Sequence, residues 1–267
     1  MALSNTATSY GSLARTFHWL IALGILIMIP LGWIAHLAPM QDAGQIALKT
    51  ALFSAHKTLG VTIFLLALAR ILWAIVQPRP VPLHPERRAE TTLAETVHWA
   101  LYAALVIVPL SGWIEHAATD GFAPIWWPFG QDLPFVPNDP ALAETFATVH
   151  FLAQWLLVGA LVLHVAGAIK HAVVDRDATL RRMARGEPAG QPTGRHGGAA
   201  PAVLALAAWI AVLGGGAAAG YFTTAERGET PALEAAASDW QVQEGTLSIS
   251  LVPVSYTHLR AHETRHD

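Results

Sequence analysis

The sequence predicts an all-α membrane protein: a four-helix transmembrane bundle with a fifth transmembrane helix and a largely disordered C-terminal tail. Of its 267 residues, 53% are hydrophobic and only 13% are charged, whereas a soluble domain has about 25% charged residues. Five stretches are long and apolar enough to cross the bilayer core, which takes about 20 residues each. This composition excludes an ordinary soluble domain.

The five predicted spans follow one another along the chain. The first is longer than the apolar core of a signal peptide and lacks a convincing small-residue cleavage site, so we interpret it as a retained helix. Residues 187–199, rich in Gly and Pro, are typical of a linker between the last two spans. The predicted spans are Phe17–His36, His56–Gln77, Val97–His116, Val149–His171 and Ala200–Phe222.

Lys and Arg mark the cytoplasmic loops of membrane proteins. Arg79, Arg87 and Arg88 lie between the second and third spans, and five arginines lie within residues 176–195. The loop at 117–148 has no Lys or Arg but has four acidic residues, so we place it outside. We therefore expect a multi-pass membrane protein with a cytoplasmic N-terminus and, if the host is a Gram-negative bacterium, an inner-membrane location with a periplasmic C-terminus.

The first and third spans repeat one pattern. Residues 16–36 align with 96–116 at a constant offset of 80, and the second and fourth spans share a weaker likeness. In that likeness, His56 is followed 14 residues later by Arg70, and His150 by His164. Such repeats predict a four-helix core built from two similar halves. The matching pairs include His18/His98, Trp19/Trp99, Gly32/Gly112, Trp33/Trp113 and His36/His116.

Histidine is the candidate metal ligand in this chain. There is no cysteine, which excludes disulfides, thiolate zinc sites, iron–sulfur clusters and covalently attached haem. An ionisable residue inside a membrane helix is costly and points to function. Once the histidines at outer span ends and in loops are set aside, the candidates are His18, His56, His98, His150, His164 and His171.

The depths of these histidines favour two haems. Fourteen residues of helix rise about 21 Å, so His150 and His164 share one face of the fourth span at two depths and cannot chelate one ion. Each can supply one axial ligand to one of two stacked haems, with His56 opposite His150 near the outer surface. His18 lies opposite His164 near the cytoplasm. His98 lies at the same depth as His18, and geometry alone leaves both open.

Bis-imidazole ligation leaves no open iron position and favours electron transfer over oxygen activation. A lone membrane histidine is more often a buried hydrogen-bonded side chain, but four at matching depths favour haem ligands. Arg70 either neutralises a haem propionate or snorkels to the interface. Four glycines either make room for the porphyrin planes or serve helix packing; they are Gly24, Gly32, Gly60 and Gly112. The aromatic outer loop fits a membrane-seated plug better than a substrate pocket.

Several motifs resemble the bacterial cytochrome b561 family, which is related to the cytochrome b subunits of membrane hydrogenases. They are RTFHWL at 15–20, AHKTLG at 55–60, HWALYAALVIVPLSGW at 98–113, VHFLAQW at 149–155 with LH at 163–164, and KHAVVDRDATLRRM at 170–183. The resemblance covers about Ser9 to Gly186. It implies a four-helix diheme b-type cytochrome that exchanges electrons with quinone. The family's ligand positions fall on His18, His56, His150 and His164, and so not on His98.

The C-terminal segment 223–267 is a separate matter. Residues 238–250 resemble the opening strand of the YceI-like polyisoprenoid-binding family, a periplasmic β-barrel, but the remaining segment is too short to close a barrel. Residues 254–267 shift abruptly to His and Arg. We interpret them as a foreign tail and assign no metal role to His258, His262 and His266.

Three functions are compatible with these observations. We expect a diheme carrier between the quinone pool and a one-electron partner at the outer face, such as superoxide or a soluble redox protein. One alternative is the anchor subunit of a larger dehydrogenase or hydrogenase, and another is a haem-free, histidine-lined transporter. The expected cofactors are two haem b, and the expected partners are lipid, quinone and a periplasmic donor or acceptor. No nucleic acid is expected, and a homodimer is compatible with the sequence.

Overall fold

In the computed structural model, the described residues are 2–119, 122–191, 196 and 198–223. Within them there is no β-strand, and five helices are long and apolar enough to cross a membrane. This confirms the all-α membrane class. The helices are α1 (Ser12–Leu37), α2 (Ala43–Ile75), α3 (Arg88–Ala117), α4 (Pro140–Ile169), α5 (Thr179–Ala184) and α6 (Ala200–Ala218), with a π-helical turn at Lys170–Asp175 after α4.

The long helices start earlier than the apolar stretches that predicted them. Helix α2 begins after Asp42, whose carboxylate accepts the backbone N–H of Gln45 at 2.8 Å. Helix α4 begins at Pro140, directly after Asp139, whose carboxylate accepts the backbone N–H of Ala141 at 2.9 Å. Asp as N-cap and Pro in the first turn are favoured helix starts. His56 therefore lies well inside α2 instead of at its start.

The four helices of the repeat form two pairs. Helix α1 packs on α2, α3 packs on α4, and α2 contacts α3 between the pairs. A buried cluster joins three of the helices at mid-depth, whereas many large apolar side chains on the outside are exposed, as a lipid-facing surface requires. The cluster consists of Ile21, Ile25, Ile63, Ala67 and Leu105.

Helix α6 lies outside the repeat, against α3 and α4. It ends at Ala218, earlier than the predicted Phe222. The predictions of a disordered tail, of a truncated barrel strand at 238–250 and of a foreign tail at 254–267 concern residues outside the described ones.

Candidate functional site

The structure brings the membrane histidines together at two levels of the bundle. At the first, the rings of His18 and His164 are 6.0 Å apart between centroids, and His98 lies 5.0 Å from His164. At the second, the rings of His56 and His150 are 6.4 Å apart. We call the first group the His18 site and the second the His56 site.

Two of these separations fit a shared haem iron. Imidazoles on opposite sides of one metal, with metal–nitrogen bonds of about 2 Å, have ring centroids about 6 Å apart. The His18–His164 and His56–His150 pairs have this spacing. The 5.0 Å between His98 and His164 is shorter than such a pair requires.

Hydrogen bonds orient two of the rings. His150 Nδ1 lies 2.8 Å from the carbonyl of Val108, so Nδ1 carries the proton and Nε2 keeps its lone pair for a metal. His98 Nδ1 bonds in the same way to Ala94 of its own helix, at 2.7 Å. His18 Nδ1 and His56 Nδ1 are buried without a hydrogen-bond partner among the described residues.

The His56 site opens into a cavity of about 100 Å³ lined by all four helices of the repeat. Its lining is mainly apolar and includes Gly32, Gly60, Leu105 and Trp155 besides the two histidines. A flat, largely apolar macrocycle fits this lining.

Two glycines of the repeat let the rings approach a neighbouring helix. A Cβ at Gly32 would lie 2.9 Å from His56 Cε1, and one at Gly112 would lie 2.9 Å from His150 Nδ1. These glycines therefore make room for the imidazoles themselves. A Cβ at Gly24 would instead meet Ile63 at 2.9 Å, which is helix packing.

Arg70 is the cation of the His18 site. It is an electrostatic neighbour of His18, His98 and His164, and its guanidinium lies 5.5 Å over the ring of Tyr102. A cation at this level suits a propionate carboxylate, so the interpretation of Arg70 as a propionate partner remains open beside the snorkelling one.

The loop after α3 is tied to α2 next to the histidine of the His56 site. Lys57 is only 7% exposed, and its Nζ donates to the carbonyls of Phe122 and Ala123 at 2.5 and 2.6 Å. The hydroxyl of Thr58 accepts the backbone N–H of Trp126 at 2.9 Å. Sequence reasoning missed Lys57, although it stands in the AHKTLG motif. Lys57 and Thr58 thus tie the aromatic loop to α2, whereas the side chains of Phe129 and Phe135 are exposed.

A charged cluster at the opposite end joins α3 to the π-helical turn. Lys170 Nζ lies 2.7 Å from both Glu90 Oε1 and Asp175 Oδ2. Glu90, His171 and Asp175 are close enough to hold a metal ion, but the ammonium of Lys170 already lies between the two carboxylates. The members of the charged cluster are His84, Arg87, Glu90, Lys170, His171, Asp175 and Asp177.

Asp177 connects two histidines within the charged cluster. Its Oδ2 lies 2.7 Å from His171 Nδ1 and 3.1 Å from His84 Nε2, and the two rings stack at 6.4 Å. Burial alone would raise the pKa of Asp177, but hydrogen bonds from Thr179 and His171 lower that pKa to about 2. His84 is one of the loop histidines that were set aside as candidate ligands, and no sequence pattern singles out Asp177.

Comparison with known proteins places the chain in a protein family. The profile of the prokaryotic cytochrome b561 family matches residues 9–186. The chain belongs to this family. Cytochrome b561 homolog 2 of Escherichia coli strain K12 is 30% identical over 185 residues, which cover 68% of this chain and 95% of that relative.

Two further relatives of this cytochrome b561 bear more specific names. The probable superoxide oxidase CybB of Yersinia pestis is 27% identical over 176 residues, covering 65% of this chain and 94% of the relative. The probable Ni/Fe-hydrogenase B-type cytochrome subunit of Rhodobacter capsulatus is 23% identical over 211 residues, covering 66% and 79%.

Family membership confirms the resemblance predicted from the motifs and implies b-type haem in this cytochrome b561. The absence of cysteine agrees with haem held by side-chain ligation alone. The match ends before α6, so the fifth membrane helix lies outside the region that defines the family.

Proposed function

We propose that this cytochrome b561 is a diheme electron carrier between the quinone pool and a one-electron partner at the outer face of the membrane. In this proposal His18 and His164 ligate an inner haem b, and His56 and His150 an outer haem b. The supporting observation is that two ring pairs, 6.0 and 6.4 Å apart, lie at two levels of one bundle. The 14-residue separation on α4 corresponds to a rise of about 21 Å.

When bound, two b haems supply one-electron redox centres at two depths. The chain contributes ligation, orientation and electrostatics. Val108 holds the His150 ring with Nε2 free, and Gly32 and Gly112 admit the rings of the His56 site. Arg70 offers a positive charge at the inner level. The aromatic loop tied to Lys57 limits water at the outer level.

The proposed orientation in the membrane is based on the positions of the arginines in the loops. Arg79, Arg87 and Arg88 and those of residues 176–185 lie beyond the His18 ends of the helices, and Lys and Arg favour the cytoplasmic side. In this orientation the N-terminus is cytoplasmic and the chain leaves α6 on the periplasmic side of the inner membrane. The His56 site then faces outward.

Superoxide is the proposed outer donor. The name of the Yersinia relative supports it, as does the buried cation of Lys57 beside the His56 site, because an anion is attracted to positive charge. Two superoxide anions would each lose one electron and leave as dioxygen. One quinone would take up the two electrons and two protons and become quinol.

The decisive experiment measures haem. Purified protein, expressed with adequate haem supply, is expected to carry two low-spin b haems per chain in a pyridine-haemochrome assay, all removable by acid acetone because no cysteine can attach them. Protein without haem would refute the electron-carrier proposal. In proteoliposomes containing a quinone, superoxide is expected to drive quinol formation, and superoxide dismutase to stop it.

The second candidate is the anchor subunit of a larger enzyme. The hydrogenase subunit of Rhodobacter favours it. Purification from native membranes distinguishes the two, because an anchor subunit would retain an iron–sulfur partner with its own paramagnetic signals. A haem-free transporter is disfavoured by family membership, and Glu115, the carboxylate inside a predicted span, lies near a helix end.

A further inference from the structure

Helix α6 is built into the haem bundle although it lies beyond the family match. Trp209 of α6 is 5% exposed and packs against Ala104 of α3 and Ala153 of α4, both fully buried. Small residues at such positions let helix backbones approach closely in a membrane. Helix α6 therefore packs closely against both α3 and α4.

The closest contacts of α6 fall around His150. A Cβ at Gly216 would lie 2.3 Å from Leu152 Cδ1. Three residues after the end of α6, the carbonyl of Tyr221 accepts the hydroxyl of Thr148 at 3.2 Å, and its ring stacks on Phe151 at 6.2 Å. These three α4 residues all lie within two positions of His150.

At the level of the His18 site, the contacts of α6 lie further from a proposed haem ligand. There α6 contributes Ala205, which packs with Val97 and Ala100 of α3 and with Ala160 of α4. Ala160 is one helical turn from His164, and alanine fills little space. The tight contacts of α6 are thus concentrated at the outer level.

We propose that α6 positions the outer haem, with Gly216 as the positioning residue that seats α6 against Leu152. This proposal rests on the assignment of His150 as an outer-haem ligand. In this proposal a side chain at position 216 presses on α4 through Leu152, and the resulting shift of α4 reaches His150, which lies two residues away on the same helix. The position of α6 therefore sets the orientation of the His150 ring relative to the His56 ring. The planes of these two rings lie at 77° to each other. The inner pair, His18 and His164, is expected to be largely insensitive to it.

Three neighbouring glycines permit a matched test. A Cβ at Gly214 or Gly215 would meet nothing within 4 Å, whereas one at Gly216 would require Leu152 to move. The full chain is purified with Gly216→Leu, Gly215→Leu or Gly214→Leu. Electron paramagnetic resonance of the oxidised protein reports the angle between the axial imidazole planes, and redox titration separates the two haems.

We expect Gly216→Leu to shift the low-spin signal and the midpoint potential of the outer haem and to leave those of the inner haem unchanged. Gly215→Leu and Gly214→Leu are expected to match the wild type. Adding Leu152→Ala to Gly216→Leu removes the clashing side chain and is expected to restore the outer signal. If Gly216→Leu does not accumulate, Gly216→Ala with and without Leu152→Ala gives the same comparison.

An outer haem that is the same in Gly216→Leu or Gly216→Ala and in the matching Gly215 variant would overturn the proposal. So would equal shifts or equal losses at both haems, because they would show general destabilisation. A lack of rescue by Leu152→Ala would also overturn it. Wild-type protein with fewer than two haems would instead count against the diheme function, which keeps the two failures apart.

Discussion

His18 and His98 occupy equivalent positions of the repeat but have different surroundings. His98 Nδ1 is hydrogen-bonded within its own helix, and its ring lies 5.0 Å from His164. His18 lies 6.0 Å from the same ring, with a buried Nδ1 that has no partner in the described part of the chain. The spacing therefore supports His18 as the inner ligand.

A pair of alanine variants tests this choice. His18→Ala is expected to lose the inner haem or convert it to high spin, because one axial bond is removed. His98→Ala is expected to keep two low-spin haems. Haem stoichiometry and electron paramagnetic resonance of both purified variants give the answer, and the reverse pattern would show that the family's ligand positions do not apply here.

Lys57 combines a buried charge with a structural tie to the outer loop. Lys57→Met removes a cation beside the outer haem, which destabilises the reduced form, so we expect the outer midpoint potential to fall by roughly 20–60 mV. Redox titration in detergent measures it, with the inner haem as an internal reference.

Thr58→Val is the control for Lys57→Met. It removes the acceptor for the Trp126 N–H but no charge, so its outer potential is expected to stay near that of the wild type. A similar fall in both variants would mean that loosening of the loop, and not loss of the charge, changes the potential.

The residues that sequence reasoning found and missed differ in physical kind. The four proposed ligands and Arg70 lie at repeated positions of helices: His18 matches His98 at an offset of 80, and a 14-residue spacing within one helix relates His56 to Arg70 and His150 to His164. Lys57 donates hydrogen bonds to carbonyls of a loop 65 positions away. Asp177, in the turn after α4, contacts His84 in the loop before α3. No helical period encodes such contacts.

At the scale of elements, hydropathy found each membrane helix but not its ends. The first turns of α2 and α4 are set by the N-cap carboxylates of Asp42 and Asp139, which lie in polar segments. The apolar stretch marks the part of a helix inside the bilayer core, whereas the cap marks where hydrogen bonding starts. The extra turns of α2 carry Lys49, whose Nζ bonds to the carbonyls of His36 and Ala38 at the end of α1.

The charged cluster links the end of α4 to α3, and Asp177 is one of its three carboxylates. Asp177 has its pKa lowered to about 2 in the folded protein, against about 3.9 for an unperturbed Asp. A depressed carboxyl pKa stabilises the fold above the unfolded value, and this stabilisation is lost as the pH falls through the folded value. The contribution of Asp177 is thus complete above about pH 5 and disappears towards pH 2.

We expect Asp177→Asn to lower the melting temperature by a few degrees at pH 7 because the variant loses hydrogen bonds to a charged group. The difference from the wild type is expected to shrink as the pH is lowered from 5 towards 2. Thermal unfolding at a series of pH values measures it. Glu187→Gln, which changes an exposed carboxylate paired with Arg181, is the control, and an equal effect in that variant would exclude a special role for Asp177.

At the scale of the whole molecule, the two halves are alike at one level and different at the other. At the His56 site each half supplies one histidine, and the repeated glycines Gly32 and Gly112 each face one of them. At the His18 site the second half has His164 where the first has Arg70. Because Arg70 stands where a second histidine would complete the symmetry, the proposed inner haem has His18 and His164 as its ligand pair. Arg70 adds a positive charge beside that pair. This asymmetry explains why the inner level has three histidines but is proposed to hold one haem.

The last prediction concerns the chain beyond α6. The described contacts of the His18 and His56 sites, and those of α6 with α4, lie within residues 12–221, so a stop codon after Thr223 is expected to leave two low-spin haems and quinone reduction unchanged. In the proposed orientation the basic segment before α6 stays in the cytoplasm, so the residues after α6 are expected outside. A reporter fused at Glu229 is therefore expected to be active only in the periplasm. A reporter active only in the cytoplasm would refute the orientation, and loss of both haems in the truncated protein would show that the tail is needed for haem binding.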